Sequence, residues 1–381
     1  VNPVAFASAG RTAAIGGQDW TALLGEPDVE HVAAHVRATA FPTVTRAEWR
    51  QYLPSGRTVR PAGIEAADRE GHTLVESEGG AAGARRRPRG LFVGLCTVDV
   101  VQLVDRVPGP NEKLTAREQL VAAGGPAANA AVAFAHLGGA ATLLTAIGRH
   151  PLGAAVAADL DRLGVTVVDL AADSAEPPTV SSVLVTASSG DRAVASTNAR
   201  GHRLDPPDEL DAWVAASDIV EFDGHHMELA VAAAGRARAA GRRTVLDGGS
   251  WKAGTERLLP WIDVAVVSED FRPPGGDAPG SGPTDALRFL RDQGVVWSAV
   301  SRGGRPLVWA GPDGGGTVEV PVVEVADTLG AGDVLHGALA HALAGQDELT
   351  SHGFAGALRG AVAVASRACA SFGTRAWMRG G

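Results

Sequence analysis

The apolar positions of this chain follow two different patterns, and the change between them lies near residue 90. Leu91-Phe92-Val93-Gly94-Leu95-Cys96 is a continuous apolar run, as expected of a strand covered on both faces of a parallel sheet. Further strands are predicted near 141–147, 165–170, 218–222, 244–246 and 264–267, with helical stretches between them. Strand and helix in alternation argue for α/β architecture, a parallel sheet with helices on both faces. Residues 180–186 and 193–197 alternate around Gly190-Asp191-Arg192 and predict a hairpin. Gly124-Gly125 opens an Ala-rich helix that runs through Asn129 to Leu137 and stops at Gly138-Gly139. A second helix of small residues is predicted over 353–371.

Before residue 90 the pattern breaks. Val1 to Phe6, then Gly10-Arg11-Thr12 and Ile15 to Asp19, predict two short strands around a turn. This stretch resembles the last part of a WD40 repeat, and Thr45 to Pro54 resembles the tail that follows some bacterial arrays of that kind. One blade cannot bury its faces without neighbours, and no second repeat follows. Residues 1–62 are therefore expected to be a degenerate WD40-like remnant, with a docking element for a propeller elsewhere as the alternative. Residues 63–90, with Glu76-Ser77-Glu78-Gly79-Gly80 and Arg85-Arg86-Arg87-Pro88-Arg89, have the composition of a flexible linker. The globular domain is expected over 91–381.

The chemistry concentrates in Asp327-Thr328-Leu329-Gly330-Ala331-Gly332-Asp333. This is a glycine turn that opens a helix, where unpaired amides and the dipole favour an anion. Asp333 falls in the first turn, beside that anion, where a carboxylate can take a proton from an attacking alcohol. For a lone Gly-x-Gly-Asp the alternative is an acidic residue that only stabilises its helix start. The longer pattern resembles the C-terminal signature of the ribokinase-like (PfkB) carbohydrate kinases. That resemblance implies Asp333 as catalytic base and Gly330, Ala331 and Gly332 as the anion hole. It implies a three-layer α/β/α ribokinase-like fold with a mostly parallel sheet and a small β-lid, its segments near 103–123 and 180–200.

Other positions gain a role from the same resemblance, which spans about 91–378. Asp99 follows the first strand, where open α/β sheets bind ligands, and is matched to a residue that holds sugar hydroxyls. Gly125 and Asn129 match the N-terminal sugar-binding signature, although Pro126 stands where many relatives carry a polar or basic residue. Gly94 to Asp105 looks most like the fructose-kinase branch, and Ser371 to Trp377 resembles the close of bacterial sugar kinases, some acting on sulfonated fructose. Arg200 is a candidate for an anionic substrate group, or a plain surface arginine. Ser301 and Gly303, with Asp327 and Thr328, are expected on the nucleotide side. Where many relatives have Asn-x-x-Glu for magnesium and phosphate, this chain has Ser268-Glu269-Asp270-Phe271, which leaves Glu269 as the metal candidate. ATP and Mg²⁺ are the implied cofactors, with a monovalent cation and a homodimer through the lid as further expectations.

Composition narrows the partners. The formal net charge of −9 argues against nucleic acid or an anionic membrane. No Gly-x-x-x-x-Gly-Lys loop occurs, so a Walker-type site is excluded. Cys96 and Cys369 lie in apolar stretches and read as reduced core residues, and with no apolar run of spanning length the expectation is a cytoplasmic protein. His225-His226 has no third ligand spaced nearby and reads as a pocket edge or turn. Two alternatives to a sugar kinase stay open. A nucleoside kinase of the same fold would offer lid aromatics for base stacking, and the lid segments contain none. A catalytically weak scaffold would fit the propeller-like start and the missing Asn-x-x-Glu.

Overall fold

The structure is a computed structural model describing residues 86–199, 203–274 and 282–379, with the backbone of three strands nearer the start. The chain divides into two units, Val1–Gly80 and Ala81–Gly381. In the first, β1 (Val4–Phe6), β2 (Ala13–Gly16) and β3 (Ala22–Gly25) form an antiparallel sheet in that order, one strand more than the pattern predicts. The remainder of the WD40-like segment, and the linker up to residue 85, lie outside the described residues.

The second unit begins earlier than the apolar run suggests. Its first strand, β4 (Arg89–Val93), starts at Arg89, and Arg87 already donates to the carbonyls of Gly138 and Gly139 at 3.0 and 2.7 Å. Two lid strands follow, β5 (Thr97–Val104) and β6 (Glu118–Gly124), then helix α1 (Pro126–His136), β7 (Ala140–Thr145), α2 (Pro151–Arg162) and β8 (Val165–Asp169). The predicted hairpin is β9 (Val180–Thr186) and β10 (Arg192–Ser196). After it come α3 (Leu210–Ala216), β11 (Ile219–Phe222), α4 (Met227–Ala239), β12 (Arg243–Gly248), α5 (Thr255–Leu258) and β13 (Val264–Ser268). The chain closes with α6 (Pro283–Asp292), β14 (Trp297–Arg302), β15 (Arg305–Gly311), β16 (Gly314–Val318), α7 (Ala331–Ala344) and α8 (Ser351–Cys369).

The main sheet runs β16-β15-β14-β13-β12-β11-β4-β7-β8, parallel from β14 to β8, with β15 and β16 added antiparallel at one edge. Side-chain alternation sends Phe92 to the face covered by α1, α7 and α8, and Leu91 and Val93 to the face covered by α3, α4 and α6. This is the expected α/β/α layering. The lid is a separate sheet, ordered β10-β9-β5-β6, in which β5 and β9 are parallel. It starts at Thr97 rather than near 103, because the chain leaves the main sheet after Val93. Asp99 therefore belongs to a lid strand and not to the end of the first core strand. Among the described residues no helix is long and apolar enough to cross a membrane.

One helix contact fixes the site. α1 and α7 cross so closely that a Cβ on Gly337 would lie 2.9 Å from Ala133 Cβ. Ala-rich and Gly-containing faces allow that approach, and it brings the starts of the two helices together.

Candidate active site

The turn before α7 is built as its glycines require. Gly330 caps the helix with φ 73°, a left-handed conformation that costs other residues roughly 1–2 kcal/mol. The first helical bond runs from Val334 N to Gly330 O at 2.9 Å, and Ala331 N makes a long bond to Thr328 O at 3.3 Å. The amides of Gly332 and Asp333 have no partner among the described residues. They are free donors at this helix start, and the Asp333 side chain stands half-buried beside them. Burial pushes its carboxyl up to about 6, with the Asp247 charge adding to the rise, while the Asn129 hydrogen bond and His336 oppose it. A carboxylate in that range is ionised at neutral pH and still a useful proton acceptor.

α1 supplies the other half. Gly125 caps it with φ 93°, and a Cβ there would overlap the Leu95 carbonyl. One turn on, Asn129 is 3% exposed; its Nδ2 donates to Asp333 Oδ2 at 2.7 Å, while its Oδ1 is buried without a partner. Asp99 reaches in from β5, with Thr97 Oγ1 donating to its Oδ1 at 2.5 Å. Burial raises the Asp99 carboxyl, against hydrogen bonds from Thr97 and Ser181 and the charge of Arg375. Four of the residues expected on the acceptor side and at its base, Asp99, Gly125, Asn129 and Asp333, thus gather at the start of two adjacent helices. Arg200 lies outside the described residues.

Several polar groups of this region carry no motif in the sequence. Asp223 accepts from the amides of Leu95, Ala127 and His225 at 2.8, 3.2 and 2.8 Å, tying the ends of β4 and β11 to the start of α1. Arg375, near the chain's end, donates to Ala123 O at 2.9 Å under the lid. Burial lowers its pKa from the ordinary guanidinium value, opposed first by the Asp159 and then by the Asp99 charge. Glu221, in the middle of β11, is fully buried with both carboxyl oxygens unpartnered, and burial raises its carboxyl well above the usual range. An acidic residue inside a short apolar strand was the available signal for Glu221, but nothing local told its neighbours apart from ordinary turn residues.

Residues 89–378 match the family described as pfkB family carbohydrate kinase. The chain belongs to that family. It is an enzyme, a kinase of the sugar and nucleoside type, and use of ATP follows from the family. Among solved structures it is similar to ribokinase from Giardia lamblia, 18% identical, with a TM-score of 0.67 over 76% of this chain and 96% of that one. It is also similar to fructokinase with bound ATP from Xylella fastidiosa, 21% identical, TM-score 0.61, over 76% and 94% of the two chains. Adenosine kinase from Sinorhizobium meliloti is 19% identical, with a TM-score of 0.62 over 76% and 95%.

On the expected ATP side of this pfkB kinase, Asp327 is 2% exposed and accepts from Leu329 N and Gly373 N at 2.8 and 2.9 Å, which ties the glycine turn to the C-terminal segment. Thr328 Oγ1 donates to Gly190 O at 3.2 Å and accepts from Arg192 at 3.0 Å, so it touches the lid hairpin. Ser301 donates to Val267 O at 3.4 Å, and Gly303 turns with φ 62°. Glu269 is held by Arg302 at 3.2 Å and by Arg305, so its charge is already offset. Among the described residues no group of three or more His, Cys, Asp and Glu side chains gathers as a metal site. A cavity of about 490 Å³ lies beside Glu269, lined also by Phe271, Asp285 and Phe289, and none of the acceptor-side residues reaches it.

Proposed function

We propose that the chain transfers the γ-phosphoryl group of ATP to a hydroxyl of a ketohexose-like sugar. Asp333 takes the proton of the attacking hydroxyl, and the free amides at the start of α7, in the Gly330-Ala331-Gly332 turn, hold the anionic charge that develops. Asp99, Gly125 and Asn129 hold the sugar, with Arg200 a further candidate for an anionic substituent. Ser301, Gly303, Asp327 and Thr328 line the nucleotide side. The observation that carries this reading is the Asn129 side chain: one N–H of its amide is given to Asp333 and its buried Oδ1 is left as an acceptor. A sugar hydroxyl satisfies that oxygen and is thereby held next to the base.

Magnesium fits less well. Glu269, its expected ligand, is engaged by two arginines, and the ion would keep its waters and the nucleotide phosphates as ligands. A monovalent cation belongs to the same reading. Homodimerisation through the lid has the support of Val121 and Val194, 56% and 53% exposed on the lid strands.

The nucleoside reading has less support, because β5, β6, β9 and β10 contain no aromatic residue. A coupled assay of ADP release across ketohexoses, ribose, nucleosides and sulfonated sugars tests both. Ketohexoses or their sulfonated relatives should be turned over best; a preference for nucleosides would overturn the substrate assignment, and no ATP turnover at all would favour the scaffold alternative.

A further inference from the structure

Beneath the anion cradle, His336 is one turn along α7 from Asp333, and its ring is inserted between that helix and the sheet. Its side chain is 5% exposed and that of Asp247 7%. Nδ1 lies 2.7 Å from Gly332 O and 3.2 Å from Asp247 Oδ2, and Nε2 lies 2.9 Å from Val266 O. All three neighbours are acceptors. A neutral imidazole has one N–H and one lone pair, so either tautomer turns a lone pair onto a buried carbonyl oxygen. Only a ring with a proton on both nitrogens satisfies every contact, and Asp247 is then its counter-ion.

The contact to Gly332 O bears on the site directly. That carbonyl belongs to the peptide whose other end is the Asp333 amide, one of the free donors of the cradle. A charged donor on the carbonyl polarises the peptide and strengthens its N–H toward an anion. The ring also ties the first turn of α7 to β13 and, through Asp247, to β12. The titratable groups around it are Asp333 on its own helix, Asp247 on β12 and, beyond Asp247, Lys252 and the Glu221 carboxyl on β11, which burial favours in its neutral form.

We propose that His336 is a positioning residue, held as a buried imidazolium against Asp247, that orients and polarises the Gly332–Asp333 peptide and places a fixed positive charge beneath the base. The proposal rests on Asp333 being that base, and it also has a readout that needs no turnover. In the full chain, ¹⁵N-histidine NMR at pH 7.5, with the His336 signals assigned by their loss in His336→Gln, should report an imidazolium. A neutral tautomer there would overturn the proposal.

His336→Gln keeps one donor and loses the charge, whereas His336→Leu loses both. In both variants the acid limb of the kcat/KM pH profile should move to higher pH, since a positive charge that favours ionised Asp333 is gone. kcat should fall about tenfold in the Gln variant, less than the 10²–10³ of a directly contacting donor, while the sugar KM stays within about twofold. An unmoved acid limb in a folded Gln variant would overturn the proposal. An imidazolium signal in a chain without sugar turnover would instead reject the kinase assignment of the site and leave the buried charge standing.

Discussion

Asn129 Nδ2 donates to Asp333 Oδ2 at 2.7 Å, although the two residues are 204 positions apart in the chain. Each sits in the first turns of its own helix, and the helices touch because Gly337 lets α7 close onto Ala130 and Ala133 of α1. The bond fixes one carboxylate oxygen, and the proposed base function falls to the other. It also opposes the rise that burial imposes on the Asp333 carboxyl. Under the proposed roles, acceptor binding and base strength are linked through a single amide.

Asp333→Asn should separate the base from the cradle. The substitution keeps the shape and removes the proton acceptor, so kcat should drop by about 10²–10⁴ in steady-state assays. ATP affinity, read by calorimetry without sugar, should change little, because the anion donors are backbone amides. Wild-type kcat in this variant would remove Asp333 from the mechanism.

The same variant should be more stable than wild type, in a pH-dependent way. A carboxyl raised from 3.8 to about 6 in the folded state contributes stability below the unfolded value and loses it as pH rises through 6. Above that, wild type bears the cost of a partly buried charge, and Asp333→Asn does not. Urea denaturation should show the variant ahead by about 1–3 kcal/mol at pH 8, with the gap closing toward pH 4. A helix-start role alone predicts the opposite sign, a loss of about 0.3–1 kcal/mol.

Turnover should follow the ionisation of Asp333. The kcat/KM profile is expected to fall below about pH 6, where the base becomes protonated. Asn129→Ala removes a hydrogen bond that favours the charged form, so its acid limb should lie at higher pH than in wild type. A profile flat to pH 4.5 in the wild-type enzyme would exclude this carboxyl as the titrating group.

Sugar contacts should be separable from ATP contacts. Asp99→Ala and Asn129→Ala each remove a buried partner of a hydroxyl, at a cost of about 1.5–3 kcal/mol in kcat/KM for the sugar. Calorimetric ATP affinity in the absence of sugar should stay near wild type. An equal loss for both ligands would move the two residues out of the acceptor site.

The start of the kinase unit can be located by truncation. Removal of residues 1–85 should leave the melting temperature and kcat near wild type, if the first unit is the remnant its sequence resembles. Removal of residues 1–88 also takes Arg86, which pairs with Asp218, and Arg87, which bonds two carbonyls behind α1. That longer deletion should lower the melting temperature by a few degrees with kcat unchanged. A large loss of activity in the shorter one would show that the first unit serves the kinase.

The alternation that makes an α/β sheet, the two glycine turns at helix starts, and the acid and amide set beside them were all legible in the order of residues. These are local properties: an apolar run, a residue that tolerates positive φ, a carboxylate within one turn of a helix end. The same local view misplaced Asp99, because the apolar residues of β5 follow directly on those of β4 and nothing between them says that the chain has left the main sheet. That the two helix starts lie side by side depends on how closely α1 and α7 pack, which no local pattern carries. The tertiary structure alone showed that Glu269 is held by arginines and that His336 faces three acceptors from its own helix and two strands. Burial and long-range pairing set the charge state of such groups, and neither is a property of neighbours along the chain.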